Sequence, residues 1–144
     1  MSVTPARDTQ AAAEAWRLLM PLFHDHRRRF MSIAQEFELA PAQIAALKAL
    51  GERGSIPMSE LAGELHCDTS NVTGIVDRLE QRGLVLRRSA PHDRRVKLLV
   101  LTDEGRRVRE EIRGRLATPP AALDRLSNSE QRTLRDLLAK ALDR

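Results

Sequence analysis

The segment 58–105 limits the possible fold more than any other part of the chain, because the spacing of its apolar residues changes partway along it. Over about 69–82 they recur every three or four positions, which places them on one face of a helix. They are Val72, Ile75, Val76 and Leu79. Two short apolar runs, 84–86 and 96–101, then flank a polar stretch, a pattern that predicts a β-hairpin. We therefore predict a helix followed directly by a hairpin.

A second short helix and a turn precede this pair. The apolar spacing of residues 58–65 predicts a helix, and the polar residues 66–68 predict a turn. Asp68 or Thr69 is expected to cap the next helix through its side chain, and Gly83 is expected to end that helix in the left-handed conformation. Two helices, a turn and a hairpin form a winged helix-turn-helix, in which a helix can enter the DNA major groove and the hairpin can reach the minor groove.

The face of the 69–82 helix that the apolar residues leave exposed is suited to reading DNA. Asn71 can pair bidentately with adenine, while Ser70 and Thr73 can meet phosphates, bases or a thymine methyl group. The alternative is a capped, solvated helix start with no ligand. The candidate DNA-binding residues on this helix are Thr69, Ser70, Asn71, Thr73, Gly74 and Arg78.

Positive charge is concentrated beside this helix. The net charge of the chain is +4, and the stretch from Arg82 to Lys97 holds six cations against one acid, Asp93. Clustered cations are what phosphate binding requires. We therefore add five candidate DNA-binding residues on the hairpin: Arg87, Arg88, Arg94, Arg95 and Lys97.

The aromatic residues all lie on one long helix predicted over 8–38, at intervals of seven. They are Trp16, Phe23, Phe30 and Phe37. Pro21 removes one backbone donor inside this run and predicts a kink. The stripe can face the core of its own chain or form a seam with another helix, and the periodicity favours neither reading.

Further helices are predicted on both sides of the winged segment. Pro41 is expected to open one of them, although Ala40 before it offers no side-chain cap. Thr102 is expected to cap a helix over 102–117, and the sequence 127–130, Ser-Asn-Ser-Glu, is a capping box. The helix that follows carries a stripe of Leu134, Leu137, Leu138 and Leu142.

Four strings in this order, SELAGEL, DTSNVTGIVDRLEQRGLVLR, DRR and LTDEG, resemble the MarR family of bacterial transcriptional regulators. The likeness is strong over about 41–105, and the flanking helices agree in length and placement. It implies a mainly α fold with a small β-hairpin, a winged helix-turn-helix with N- and C-terminal dimerisation helices. It also implies one domain over 1–144, with a DNA-binding lobe at 41–101 and dimerisation helices at 8–38 and 102–144.

The same resemblance implies a function. Family members are obligate homodimers that bind a palindromic operator in double-stranded DNA, usually as repressors that a small-molecule effector releases. The implied dimer-interface residues are Trp16, Leu19, Phe23, Leu134, Leu137 and Leu138. The family's wing arginine corresponds to Arg94, which is expected to enter a narrow minor groove, and Asp93 is expected to orient an arginine through a salt bridge. Gly74 departs from the family pattern, because many members carry a long, often basic residue there.

Effector and metal sites are less defined by the sequence. His24, His26 and Arg27 are candidates for the ligand cleft of the family, and a solvated basic helix face is an equal reading. Histidines two positions apart diverge by about 200° on a helix, so we expect no metal site and no cofactor. Cys67 permits an alternative, a regulator that senses oxidants, but a neutral, half-buried thiol is the favoured reading.

Other classes of protein are disfavoured. The chain has no G-x-S-x-G, no P-loop glycine run and no metal-ligand spacing, so we expect no enzyme. It has no apolar run of about 18 residues and no signal-peptide pattern, and its single cysteine fits a reducing cytoplasm. The remaining alternative is a winged-helix module that binds an acidic protein, which would show no affinity for DNA at low salt.

Overall fold

The computed structural model describes residues 9–144 as a mainly helical protein with a small antiparallel sheet. The elements are α1 (Thr9–Glu36), α2 (Pro41–Arg53), β1 (Ser55–Pro57), α3 (Met58–Glu64), α4 (Thr69–Gln81), β2 (Val85–Ser89), β3 (Lys97–Leu101), α5 (Asp103–Ala117), a 3-10 turn (Ala121–Arg125) and α6 (Asn128–Ala141). This confirms the expected fold class. The start of the first helix was expected at residue 8, which lies outside the described residues. None of the helices described is long and apolar enough to cross a membrane.

The sheet contains a strand that the sequence did not predict. The predicted hairpin is present as β2 and β3, with Arg87 opposite Leu99. β1 pairs with the other edge of β3 and places Ile56 opposite Leu99, so the order is β1-β3-β2. A strand of three residues is too short to show the alternation that identifies strands. Its pairing depends on a partner more than forty positions away along the chain.

The chain divides into two compact units. The first, which we call the winged unit, is Phe30–Ala117. Its core includes the three α4 residues Val72, Val76 and Leu79, each fully buried. Ile75, the fourth residue of the predicted apolar face, is partly buried against the same core. The 3.6-residue periodicity therefore identified the buried face of α4 correctly.

The LTDEG string joins the sheet to α5 through a close backbone contact. The Thr102 hydroxyl accepts a hydrogen bond from the Gly105 N–H at 2.9 Å and donates one to the Gly83 carbonyl at 2.6 Å, which confirms Thr102 as the predicted cap. Gly105 packs against the Leu84 carbonyl so tightly that a Cβ would lie 2.0 Å from its oxygen. Gly83 has the predicted left-handed conformation, with φ of 68°. The hairpin and α5 thus have a fixed junction.

Two other helix starts differ in how they are capped. The predicted side-chain cap of α4 is wrong: Asp68 occupies the N-cap position but makes no capping hydrogen bond, and Thr69 is already inside the helix. At α2 the Gln43 side chain accepts from the Ala40 N–H at 2.8 Å, whereas Ala40 itself makes no side-chain capping hydrogen bond. The predicted capping box of α6 is confirmed, since Glu130 accepts from the Ser127 N–H at 2.8 Å.

The second unit, which we call the helical unit, consists of the described residues through Arg29 together with Thr118–Arg144. Arg29 donates to the Thr118 carbonyl at 3.0 Å and links its two segments. No residue described in this unit is buried. The Trp16 and Phe23 rings lie 6.2 Å apart, and both remain more than half exposed. This unit therefore lacks a core of its own within the single chain.

Candidate DNA-binding surface

The exposed face of α4 carries the residues predicted to read DNA. Ser70, Asn71, Gly74 and Arg78 line one side of a groove of about 630 Å³, with α2 and the end of α3 on its other side. The Thr73 hydroxyl donates to the Thr69 carbonyl at 3.0 Å, so this donor is already engaged in a hydrogen bond within the helix. Thr73 can therefore offer DNA only its acceptor oxygen and its methyl group.

Gly74 is not required by packing. A Cβ at this position would meet nothing within 4 Å, and its φ is not in the left-handed range. A longer side chain therefore fits here without strain. The absence of a side chain at position 74 therefore has no steric cause.

The tip of the wing is a short, ordered loop between β2 and β3. Ala90 donates to the Val96 carbonyl at 2.9 Å, and Val96 donates to the Asp93 carbonyl at 3.1 Å. The Asp93 carboxylate accepts from the backbone N–H of Arg95 at 2.9 Å. The predicted Asp93 salt bridge is therefore wrong: among the described residues the Asp93 carboxylate bonds to a backbone N–H of the turn and pairs with no arginine side chain. Arg94 and Arg95 are exposed at the tip.

The six cations of the wing region fall into two groups. Arg87 lies between two carboxylates of α4, 2.6 Å from Asp77 and 2.8 Å from Glu80. Arg82 donates to two backbone carbonyls. The other four are exposed. Within residues 9–144, Lys97 is the one among them whose side chain makes a hydrogen bond, to the Ser89 hydroxyl at 2.8 Å. They are Arg88, Arg94, Arg95 and Lys97.

Asp77 and Glu80 are the partners that sequence reasoning missed. They stand three positions apart on α4, which places both on one face of the helix. Arg87 and Arg88 are consecutive in a strand and so point to opposite sides of the sheet. That alternation was the available signal that only one of the two arginines faces α4. Arg87 therefore ties the wing to α4, whereas Arg88 is open to solvent.

A cavity of about 320 Å³ lies between α2 and α5 in the winged unit. Its apolar lining comes from Ile44, Leu47, Ile112 and Leu116, and charged side chains also line it: Lys48, Glu52, Arg109 and Arg113. The Arg109 side chain crosses Gly51, where a Cβ would lie 1.9 Å from the Arg109 Nε. This Nε is buried without a hydrogen-bond partner. The cavity therefore combines an apolar wall with a guanidinium whose hydrogen bonding is incomplete.

The remaining candidates are placed as follows. His24, His26 and Arg27 are exposed on the α1 segment of the helical unit. Cys67 is a free, half-buried thiol in the wall of the α4 groove. Within residues 9–144, no group of three or more histidine, cysteine, aspartate or glutamate side chains is placed to hold a metal ion.

The helix-turn-helix, the basic wing and the exposed polar face of α4 define a winged-helix DNA-binding protein. The MarR family profile matches residues 39–97. The transcriptional repressor MdtR of Bacillus subtilis (strain 168) is 34% identical over 123 residues, which cover 85% of this chain and 79% of MdtR. The chain belongs to the MarR family of transcriptional regulators, which are not enzymes.

Solved structures support the same assignment. The YusO protein from Bacillus subtilis has a TM-score of 0.80 and 30% identity, covering 96% of this chain and 99% of that one. NadR in complex with 4-hydroxyphenylacetate has a TM-score of 0.62 and 27% identity, covering 98% and 96%. Both likenesses extend beyond the winged unit, so the flanking helices also match family members.

Proposed function

We propose that the protein is a sequence-specific transcriptional repressor that acts in the cytoplasm as a homodimer on a palindromic operator, and that a small-molecule effector releases it. The observation that carries this proposal is the pairing of an exposed polar face on α4 with four exposed cations on the wing. The former can contact base edges, and the latter can contact phosphates and the minor groove. MdtR, a relative over most of its length, is a named repressor.

The two parts of this surface have different expected roles. The wing supplies sequence-independent attraction, because each cation near a phosphate releases counterions. On α4, Asn71 has the chemistry for a bidentate contact to adenine. We therefore assign affinity mainly to the wing, through Arg94 above all, and sequence preference mainly to Asn71.

Equilibrium binding to DNA fragments from the protein's own promoter region tests this division. Arg94→Ala should weaken binding to every duplex and lower the slope of log K against log salt by about 0.9. Asn71→Ala should cost about 1–3 kcal/mol on the preferred sequence and little on others. Arg107→Ala is the matched control, since Arg107 lies on α5 and pairs with Glu104. An unchanged salt slope in Arg94→Ala would contradict the wing assignment.

The homodimer is supported by the helical unit. Its exposed apolar residues lie on both of its helices and include Trp16, Phe23, Leu137 and Leu138. Large exposed apolar surfaces of this kind mark interaction sites. A second copy of the same chain would cover them, and a two-fold dimer would match the symmetry of a palindromic operator.

For the effector we propose the cavity between α2 and α5. Its apolar wall fits a small ring or short chain, and Arg109 fits a carboxylate, because a guanidinium binds carboxylates through paired N–H donors. NadR is in complex with 4-hydroxyphenylacetate, a molecule with both features. The proposed ligand is therefore a small amphipathic carboxylate.

Calorimetry with phenylacetate and with the neutral 2-phenylethanol as probes tests the effector site. The carboxylate should bind more tightly, and Arg109→Met should remove that preference while leaving the apolar wall intact. His24→Ala serves as the comparison variant, since this residue lies in the alternative site predicted from the sequence. Loss of phenylacetate binding in His24→Ala, with Arg109→Met unaffected, would place the site on α1.

A further inference from the structure

The end of α4 is tied directly to the end of α1. Arg82, the residue that follows α4, donates from one guanidinium nitrogen to the Phe37 carbonyl at 2.8 Å and to the Glu38 carbonyl at 2.7 Å. Both carbonyls lie just beyond the last residue of α1, and Glu38 has a left-handed φ of 52°. Carbonyl groups at a helix C-terminus carry partial negative charge. The cation of Arg82 therefore stabilises this helix end.

The same end of α1 is held from a second side by α5. Arg115 bonds to the Glu36 carboxylate at 2.8 Å, and its guanidinium lies 5.8 Å from the centroid of the Phe37 ring. The hydrogen bond from Arg115 lowers the pKa of Glu36. Next in the chain, Leu39 is buried in the core and donates to the Ala34 carbonyl at 2.9 Å. The end of α1 is thus a fixed point against which α4 is positioned.

Arg82 lies too far from the start of α4 to contact base edges as the first residues of α4 can. It follows Ser70 by twelve positions, about 18 Å along a helix at 1.5 Å per residue. Recognition helices of this class contact base edges with their N-terminal residues. The Nη1 group of Arg82 also donates to two carbonyls. The charge of Arg82, which the sequence assigns to the basic wing region, therefore acts inside the winged unit.

We propose that Arg82 is a positioning residue for DNA recognition, which sets the orientation of α4 by bonding to the end of α1. This inference rests on the proposed function. α1 is one continuous helix from Thr9 to Glu36, and its residues through Arg29 belong to the helical unit. Arg82 and the two carbonyls all lie inside the winged unit, so the contact holds the end of α4 against the end of α1.

The test compares two duplexes, one selected by the wild-type protein from a random pool and one with the same composition scrambled. Fluorescence anisotropy measures the affinity for both over a range of salt. Arg82→Met keeps an unbranched, flexible side chain, shorter than that of arginine, and removes its donors. It should lower the ratio of selected to scrambled affinity by about tenfold or more, comparable to the loss of one base contact. Its salt slope should stay unchanged.

Two further variants complete the comparison. Arg82→Lys should restore part of the ratio, because an ammonium group can still donate to the carbonyls. Arg88→Met should weaken binding to both duplexes equally and reduce the salt slope by about 0.9. If Arg82→Met instead behaves like Arg88→Met, Arg82 is a phosphate contact and the inference is wrong. An unchanged affinity ratio in Arg82→Met would also overturn it.

Hydrogen exchange on the wild-type protein tests the inference should Arg82→Met fail to fold. The selected duplex should protect the amides of Leu39 and Gly83, beside the contact, more than the scrambled duplex does. Equal protection by the two duplexes would count against a positioning role. If the wild-type protein selects no sequence at all, the proposed function itself fails, which is a different result from loss of the Arg82 effect alone.

Discussion

The winged unit and the helical unit differ in what they can bury. Every buried apolar residue described in the chain lies between Ile33 and Ile112, inside the winged unit. The helical unit buries none and leaves Trp16 58% and Leu137 60% exposed. The winged unit can thus bury its apolar residues within one chain, whereas the helical unit leaves its apolar residues exposed. This contrast separates the unit proposed to bind DNA from the unit proposed to join two copies of the chain.

The largest expected effect is the loss of the proposed dimer. Phe23→Asp puts a charge on the exposed apolar face of the helical unit, and burying an unpaired charge costs several kcal/mol. We expect dimerisation to weaken by at least about 100-fold, measured by light scattering over a range of concentrations. Leu86→Asp is the matched control, since Leu86 is an exposed apolar residue of the winged unit. Equal loss of dimer in both variants would contradict the proposal that the helical unit, and not the winged unit, joins two copies.

The next effect concerns the core of the winged unit. Leu79 is fully buried, and Leu79→Ala should lower the free energy of unfolding by about 2–5 kcal/mol. Urea denaturation followed by circular dichroism measures this change. Leu86→Ala, 42% exposed before substitution, should change it by no more than about 0.5 kcal/mol. A loss below about 1 kcal/mol in Leu79→Ala would mean that α4 is held mainly by its polar contacts.

A smaller effect is expected at the start of α6. In a unit without a core, helix ends depend on local hydrogen bonds, and the Ser127 hydroxyl accepts from the Glu130 N–H at 3.3 Å. Ser127→Ala should destabilise α6 by about 1 kcal/mol, which amide exchange in the first turn of α6 would reveal. Lys140→Ala, in the last turn of the same helix, should leave the first turn unchanged. Equal exchange in both variants would show that the capping box contributes nothing.

The smallest effect is a dependence on pH. Hydrogen bonds from Ser127 lower the pKa of Glu130 below its ordinary 4.5, and Arg115 lowers that of Glu36. A carboxylate with a lowered pKa in the folded state stabilises it above the unfolded value, and this contribution is lost as the pH falls. Stability should therefore decline below about pH 4.5. Glu130→Gln should flatten the decline for α6 alone, as NMR titration of its amides can show.

Patterns that repeat within one element could be read from the sequence. The buried face of α4 follows from a 3.6-residue period, and the Thr102 and Ser127 caps follow from residues three positions apart. Contacts between distant segments could not be read in this way. The sequence gives no distance between Arg82 and Phe37, and the two carboxylates around Arg87 are visible only once β2 lies beside α4. Residue type alone could therefore not show which of the cations are free.

The close packing of Gly105 has a consequence for how this protein tolerates mutation. Any side chain there must displace the Leu84 carbonyl, so in a saturation library screened for regulation Gly105 should score as severely as a residue that contacts DNA. Gly74 is its opposite, because a side chain there meets nothing and faces the groove of α4. Substitutions of Gly105 should therefore be lost from the library, whereas substitutions of Gly74 can be retained and can add a new contact.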